Sequence, residues 1–312
     1  MVLHLLEQGV EVVAWNRSPE PRQEVAEKGA IAVETLEELV ASLRSDNSEE
    51  KQSNLQIATS PSAPRNDSII IWLMLPAGET TDEYIEKLIP LLNPEDLLID
   101  GGNSFYQDTL RRAEKLKNNN IRFMDIGTSG GPGGARNGAC LMIGGEKADY
   151  EQILPLVEKI AAPEAYGLFG SIGAGHFAKM IHNGIEYGMM EAIAEGLNIL
   201  DKSQFNMDLK EIFRVYNTGS VIESRLVGWT LDALKEDPTL SEYSAKIGHN
   251  GEGEWTVKVA EEAGLDARVI KDSFDVRLES DKIDDTHPDA LRNKAVSAMR
   301  GKFGGHAVKK DA

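Results

Sequence analysis

Between residues 69 and 170, short apolar runs recur with helical stretches between them, and this alternation limits the fold more than any other feature of the chain. The runs are IIIWLML at 69–75, LLI at 97–99, RFMDI at 122–126, ACLMI at 139–143 and AYGLF at 165–169. Apolar runs of this length suit strands buried on both faces. The stretches at 81–91, 109–117 and 148–160 carry helical periodicity. Strands alternating with helices imply a largely parallel, doubly wound sheet. Upstream, Val2, Leu3, Leu5 and Leu6 form the stripe of a short helix stopped by Gly9; 11–15 reads as a strand and 21–43 as one helix. From Gly173 onward the pattern is helical almost without interruption. The expected organisation is a sheet domain at 1–171 and an all-α domain at 172–312. A polar, Ser/Asn/Pro-rich insertion at about 44–68 is expected to be a surface loop.

Composition narrows the partners. The 312 residues include 33 Lys and Arg against 51 Asp and Glu, a net charge of −18, so the mean field repels nucleic acid and anionic membrane. An anionic ligand therefore needs a local basic pocket. The single cysteine, Cys140, excludes an internal disulfide and a multi-cysteine metal site, and its expected role is a small buried filler. No run is long enough to span a membrane, and the apolar start, with Glu7 and no basic leader, does not read as a signal peptide. The expected location is the cytoplasm.

Four stretches carry candidate chemistry. The first, VVAWNRSPE, ends a strand with Asn16, Arg17 and Ser18, where a dinucleotide-binding unit meets the adenosine ribose. An acidic residue there would bind the 2′-hydroxyl of NAD, whereas Arg17 offers charge to a 2′-phosphate. The second, DGGNS at 100–104, places Asn103 at a strand's C-terminal end, where ligands bind open α/β sheets. The third, DIGTSGGPGGARNGA at 125–139, lets the backbone approach an anion closely, with Ser129 adding a hydroxyl donor.

The fourth, GAGHFAKMIHNGIEYGMMEAIAEGLNIL at 173–200, reads as one long helix. Lys179, His182, Asn183 and Glu186 are spaced i, i+3, i+4, i+7 and share one stripe. Phe177, Met180, Ile181, Ile185 and Met189 make the other faces apolar, so the helix is expected to be buried and its polar stripe to face a ligand or partners. A plain helix salt bridge is the competing reading, but Lys179 and Glu186 stand about two turns apart. A lysine and a glutamate on one buried stripe suit proton transfer in both directions.

These stretches, in this order, resemble the 6-phosphogluconate dehydrogenase family of the β-hydroxyacid dehydrogenase superfamily, and AKMIHNGIEYGMM is specific to that family. The resemblance is dense from Val2 to Leu200 and thinner beyond, and the short helical part looks like the short-chain branch. It implies a Rossmann-like sheet domain followed by an all-α domain that dimerises, and oxidative decarboxylation of 6-phosphogluconate to ribulose 5-phosphate and CO2 in the pentose phosphate pathway and gluconate utilisation. Lys179 would remove the C3 hydroxyl proton and later reprotonate the ketone oxygen, and Glu186 would protonate C1 of the enediol. Ser129, Gly130 and Gly131 would cradle the substrate near its carboxylate, Asn103, His182 and Asn183 would order its hydroxyls, and Tyr187 would reach the phosphate. Asn16, Arg17 and Ser18, with Leu75, Pro76, Ala77 and Asn103, match cofactor-binding segments and favour NADP, with NAD the alternative. The tail RGKFGGH resembles the segment in which an arginine and a histidine, here Arg300 and His306, cross into a partner subunit and bind its substrate phosphate. A homodimer or higher homo-oligomer is implied.

The sequence departs from the family at three places. Asn250 stands where long-chain members carry a phosphate-contacting lysine, and Glu223 where they carry an arginine, with Arg225 the candidate substitute. The glycine-rich turn G-x-G-x-x-G and its strand do not occur before Val2, so the chain as written is expected to bind NADP poorly and to be destabilised. The competing expectations are another β-hydroxyacid dehydrogenase, of the 3-hydroxyisobutyrate type, and a catalytically impaired remnant.

Overall fold

The β-branched and aliphatic runs form the strands expected of them, in a computed structural model that describes residues 1–45, 68–249, 251–304 and 308. Most of the polar insertion, Asn250 and His306 therefore lie outside the described residues. The chain divides into two compact units, Met1–Lys179 and Met180–Ala312.

The first unit opens with α1 (Val2–Glu7), which Gly9 stops in the left-handed region at φ 73°, and β1 (Val13–Trp15). The single helix expected at 21–43 is instead α2 (Pro19–Glu27), β2 (Ile31–Val33) and α3 (Leu36–Ser45). Gly29, at φ 103°, ends α2, and the apolar IAV segment that follows pairs in parallel with β1. Next come β3 (Ile70–Leu73), α4 (Glu79–Leu88), β4 (Leu97–Asp100), α5 (Tyr106–Lys117) and β5 (Arg122–Ser129). After them lie α6 (Gly131–Asn137), β6 (Ala139–Gly144), α7 (Lys147–Ile160) and β7 (Ala161–Gly170).

The sheet is largely parallel and doubly wound, as expected, with two particular features. It is divided into a pair, β1-β2, and a five-stranded piece in the order β3-β4-β5-β6-β7. Within the larger piece β5 and β6 run antiparallel, because the seven-residue α6 is too short for the crossover a parallel pair requires. Both faces are covered, as the continuous apolar runs require. Leu97, Ile99, Met124 and Ile126 pack toward Leu5 of α1 and Ile153 and Val157 of α7. Leu98 and Phe123, of opposite parity, pack toward Ile85 and Leu88 of α4 and Leu116 of α5. Each such side chain contributes about 1.5–3 kcal/mol. Cys140 is exposed on β6, not the buried filler expected.

The second unit is built on most of α8 (Ala174–Asp201), with α9 (Leu209–Tyr216), α10 (Arg225–Glu236), α11 (Glu252–Glu262), α12 (Arg268–Glu279) and α13 (Ala290–Gly304). Its core joins Met190, Ala194 and Leu197 of α8 to Val227 and Leu234 of α10 and Val296 and Met299 of α13. No helix among the described residues is long and apolar enough to cross a membrane.

Candidate active site

In the first unit the candidate residues gather at the C-terminal ends of β3, β4 and β5. The DGGNS turn is pinned from below: Asp100, fully buried, accepts from Ser104 Oγ at 2.8 Å and from the Arg112 guanidinium at 3.1 Å. Arg112, equally buried, also donates to Asp82 at 2.7 Å and to the Gly78 carbonyl at 2.9 Å, so its charge is compensated. Asn103 Oδ1 accepts from the Thr128 backbone N–H at 3.2 Å, which ties the turn to the strand carrying Ser129. The glycine-rich segment after Ser129 is not an open loop: Gly130, at φ 116°, turns it directly into α6. A Cβ on Gly102 would lie 2.6 Å from the Leu75 carbonyl, so the backbones of the DGGNS turn and of Leu75, Pro76 and Ala77 approach closely.

At the end of β1, Asn16 Oδ1 accepts from the Ser18 N–H at 2.9 Å, a side-chain turn that leaves Arg17 exposed beside it. Trp15 packs against Tyr84 with ring centroids 4.9 Å apart and the rings tilted by 53°. An exposed guanidinium on an Asx turn, beside a pair of aromatic rings, fits the 2′-phosphate and ribose end of a nicotinamide dinucleotide.

Lys179 projects from the first turns of α8 and is buried. Its stem presses on β5, where a Cβ on Gly127 would fall 2.3 Å from Lys179 Cβ.

The second unit carries the rest of the α8 stripe. His182 Nδ1 lies 3.0 Å from Asn183 Oδ1 and 3.8 Å from Glu186 Oε2, while Asn183 and Tyr187 are buried. The helix is not apolar and buried on all its other faces: Ile185 and Met189 are 52% and 44% exposed. With Val221 and Ile222 they contribute to an apolar surface that continues into a groove over Phe213 and Val227.

Sequence reasoning missed Arg277. Its guanidinium lies 3.3 Å over the Tyr187 ring, and burial pulls its pKa down to about 10. The signal was in the pattern, since Arg277 falls with Ser273 and Phe274 on the inward stripe of α12. Arg300, also buried and with its pKa lowered by burial, packs against Gly248. It is not on a detached tail: α13, which carries it, supplies Ala295, Val296 and Met299 to the core of its own unit. Arg277 and Arg300 are thus two buried positive charges near Tyr187 in this unit. The Arg225 guanidinium lies 5.2 Å over the Trp229 ring. Glu223 closes its own loop by accepting from the Gly219 N–H at 2.7 Å.

A doubly wound sheet whose strand ends carry a guanidinium-bearing Asx turn, followed by a helical domain with a lysine-bearing helix, defines a nicotinamide-dinucleotide-dependent dehydrogenase of the Rossmann type. Residues 1–173 match the profile described as the NAD binding domain of 6-phosphogluconate dehydrogenase, and 175–299 that of its C-terminal domain. The chain belongs to the 6-phosphogluconate dehydrogenase family. It is 43% identical to YqeC of Bacillus subtilis over 241 residues, 77% of this chain and 79% of that one. It is 33% identical over 310 residues to the NAD(+)-dependent, decarboxylating 6-phosphogluconate dehydrogenase of Haloferax volcanii, covering 99% and 94% of the two chains. The 6-phosphogluconate dehydrogenase structure from Plasmodium falciparum, solved in its apo form and with NADP+ or 6-phosphogluconate, superposes with a TM-score of 0.73 at 27% identity, covering 96% of this chain and 67% of that one. The cofactor is accordingly a nicotinamide dinucleotide, NADP or NAD.

Proposed function

We propose that the chain oxidatively decarboxylates 6-phosphogluconate to ribulose 5-phosphate and CO2 in the cytoplasm, serving the pentose phosphate pathway and gluconate utilisation, with NADP the preferred cofactor. The observation that carries this reading is the pairing on α8 of a buried Lys179 with Glu186 two turns on, next to a Tyr187 covered by a buried arginine. NADP supplies the hydride acceptor. Lys179 accepts the C3 hydroxyl proton as hydride leaves C3, and returns a proton to the ketone oxygen as CO2 departs. Glu186 then donates a proton to C1 of the enediol. Asn103, His182 and Asn183 hold the hydroxyls, and Ser129, Gly130 and Gly131 take the carboxylate. Tyr187, Arg277 and Arg300 take the phosphate, with His306 a further candidate.

Arg17, with Asn16 and Ser18, favours NADP because a guanidinium answers a 2′-phosphate and no carboxylate follows at that turn to accept from a 2′-hydroxyl. The half-exposed apolar face of α8 supports association with a second copy of this chain. The test is incubation with 6-phosphogluconate and NADP. Equal amounts of NADPH and CO2 should form, and Lys179→Met should lower kcat by about 10²–10⁴-fold. Reduction without CO2, or turnover of unphosphorylated 3-hydroxy acids alone, would overturn the reading.

A further inference from the structure

The buried carboxylate of Asp125 has no part in the chemistry above, yet it sits under the helix that carries Lys179. Its Oδ1 accepts from the Gly173 N–H at 2.6 Å and its Oδ2 from the His176 N–H at 2.7 Å, so one side chain closes two of the open donors at the start of α8. The helix start is locked against the strands around it. A Cβ on Gly175 would meet the Met142 carbonyl at 2.4 Å and the Asp125 carbonyl at 2.7 Å, and one on Gly144 would meet Asp125 Oδ1 at 2.5 Å. Asp125 and Gly127 share a face of β5, about 7 Å apart along the strand. His176 and Lys179 share a face of α8. The carboxylate therefore meets the helix at His176 and the lysine stem meets the strand at Gly127.

We propose that Asp125 is the positioning residue for Lys179: its negative charge at the N-terminus of α8 fixes the helix register on β5 and raises the proton affinity of the Lys179 ammonium. Without that charge the positive end of the helix acts alone on a lysine in its second turn. The proposal rests on Lys179 being the base of the reaction proposed above. The other titratable groups facing Asp125 are His176, whose Nδ1 lies 4.0 Å from Oδ2 and 2.7 Å from Thr109 Oγ1, and Asp100 of β4, itself bonded to Ser104 and Arg112. β6 presents only Gly144 there.

The test is the titration of Lys179 in the full chain, read by NMR of ¹³Cε-labelled lysine and assigned with Lys179→Arg. For a unit charge about 10 Å away in an effective dielectric of ~20, Asp125→Asn should lower the Lys179 midpoint by roughly one pH unit, a tenfold loss of proton affinity. The acid limb of the kcat/KM profile should move down equally. An unchanged midpoint in a folded Asp125→Asn chain overturns the proposal. If the wild-type chain does not turn over 6-phosphogluconate, the functional reading fails while the NMR midpoint still decides the role of Asp125. Should Asp125→Asn not fold, the wild-type carboxyl decides by its own ¹³Cγ shift: ionised at neutral pH supports the proposal, and protonated overturns it.

Discussion

Glu191 and Arg277 are charged residues placed where charge is costly, and each has a measurable consequence. Burial pushes the Glu191 carboxyl up from 4.5 to about 7, even with Arg292 Nε at 3.2 Å. Because the folded pKa lies above the unfolded one, the contribution of this group to stability is fully present below about 4.5 and is lost as pH rises through about 7. Glu191→Gln should remove that loss, gaining about 3 kcal/mol on the wild type between the two ends of this range, read from denaturant unfolding at each pH. Equal pH slopes in the two proteins would contradict the assignment. Arg277→Met should raise KM for 6-phosphogluconate at least about tenfold, because a charge-assisted contact to a dianion is lost, while KM for NADP stays near its wild-type value. Lys179, Asn183 and Glu186 were readable in the sequence because they lie on one segment at helical spacing. Arg277 falls on the inward stripe of α12, but its contact with Tyr187, ninety residues away in the chain, comes only from tertiary packing.

The elements at 2–15, 69–126 and 139–201 lie near the bounds read from their patterns, whereas β2 and α6 were not read. The run 21–43 hid a three-residue strand because IAV is too brief to show a period, and only pairing with β1 defines it. The glycine-rich stretch after β5 read as backbone that approaches an anion closely, and within it Gly131 to Asn137 forms a short helix, with Pro132 at its start and Gly138 at its end. The contact between β5 and α8 depends on the missing side chain of Gly127. Gly127→Ala should cost about 1–3 kcal/mol in stability, since its methyl would fall 2.3 Å from Lys179 Cβ. It should also lower kcat more than it raises KM, because the displaced side chain is that of the base proposed above. Steady-state kinetics beside thermal unfolding will separate the two effects, and an unaltered kcat would show that the contact is not critical.

The sequence changes near Gly173 from an alternating to an unbroken helical pattern, and the chain divides into two compact units after Lys179. An acidic molecule of net charge −18 repels its own copies at long range, so any self-association must come from apolar contact. Ile222, 52% exposed beside the groove over Phe213 and Val227, is the place to interrupt it. Sedimentation should show a dimer or larger assembly for the wild type and a monomer for Ile222→Asp, and raising the salt concentration should tighten the wild-type assembly. A wild-type monomer at micromolar concentration would end the oligomer reading.

Helix α8 runs unbroken from Ala174 to Asp201, starting in one unit and finishing in the other. Lys179 and Glu186 are therefore separated by a fixed rise of about 10 Å along one rod. In the reaction proposed above, the proton acceptor and the final proton donor are thus linked by about two turns of one covalent helix.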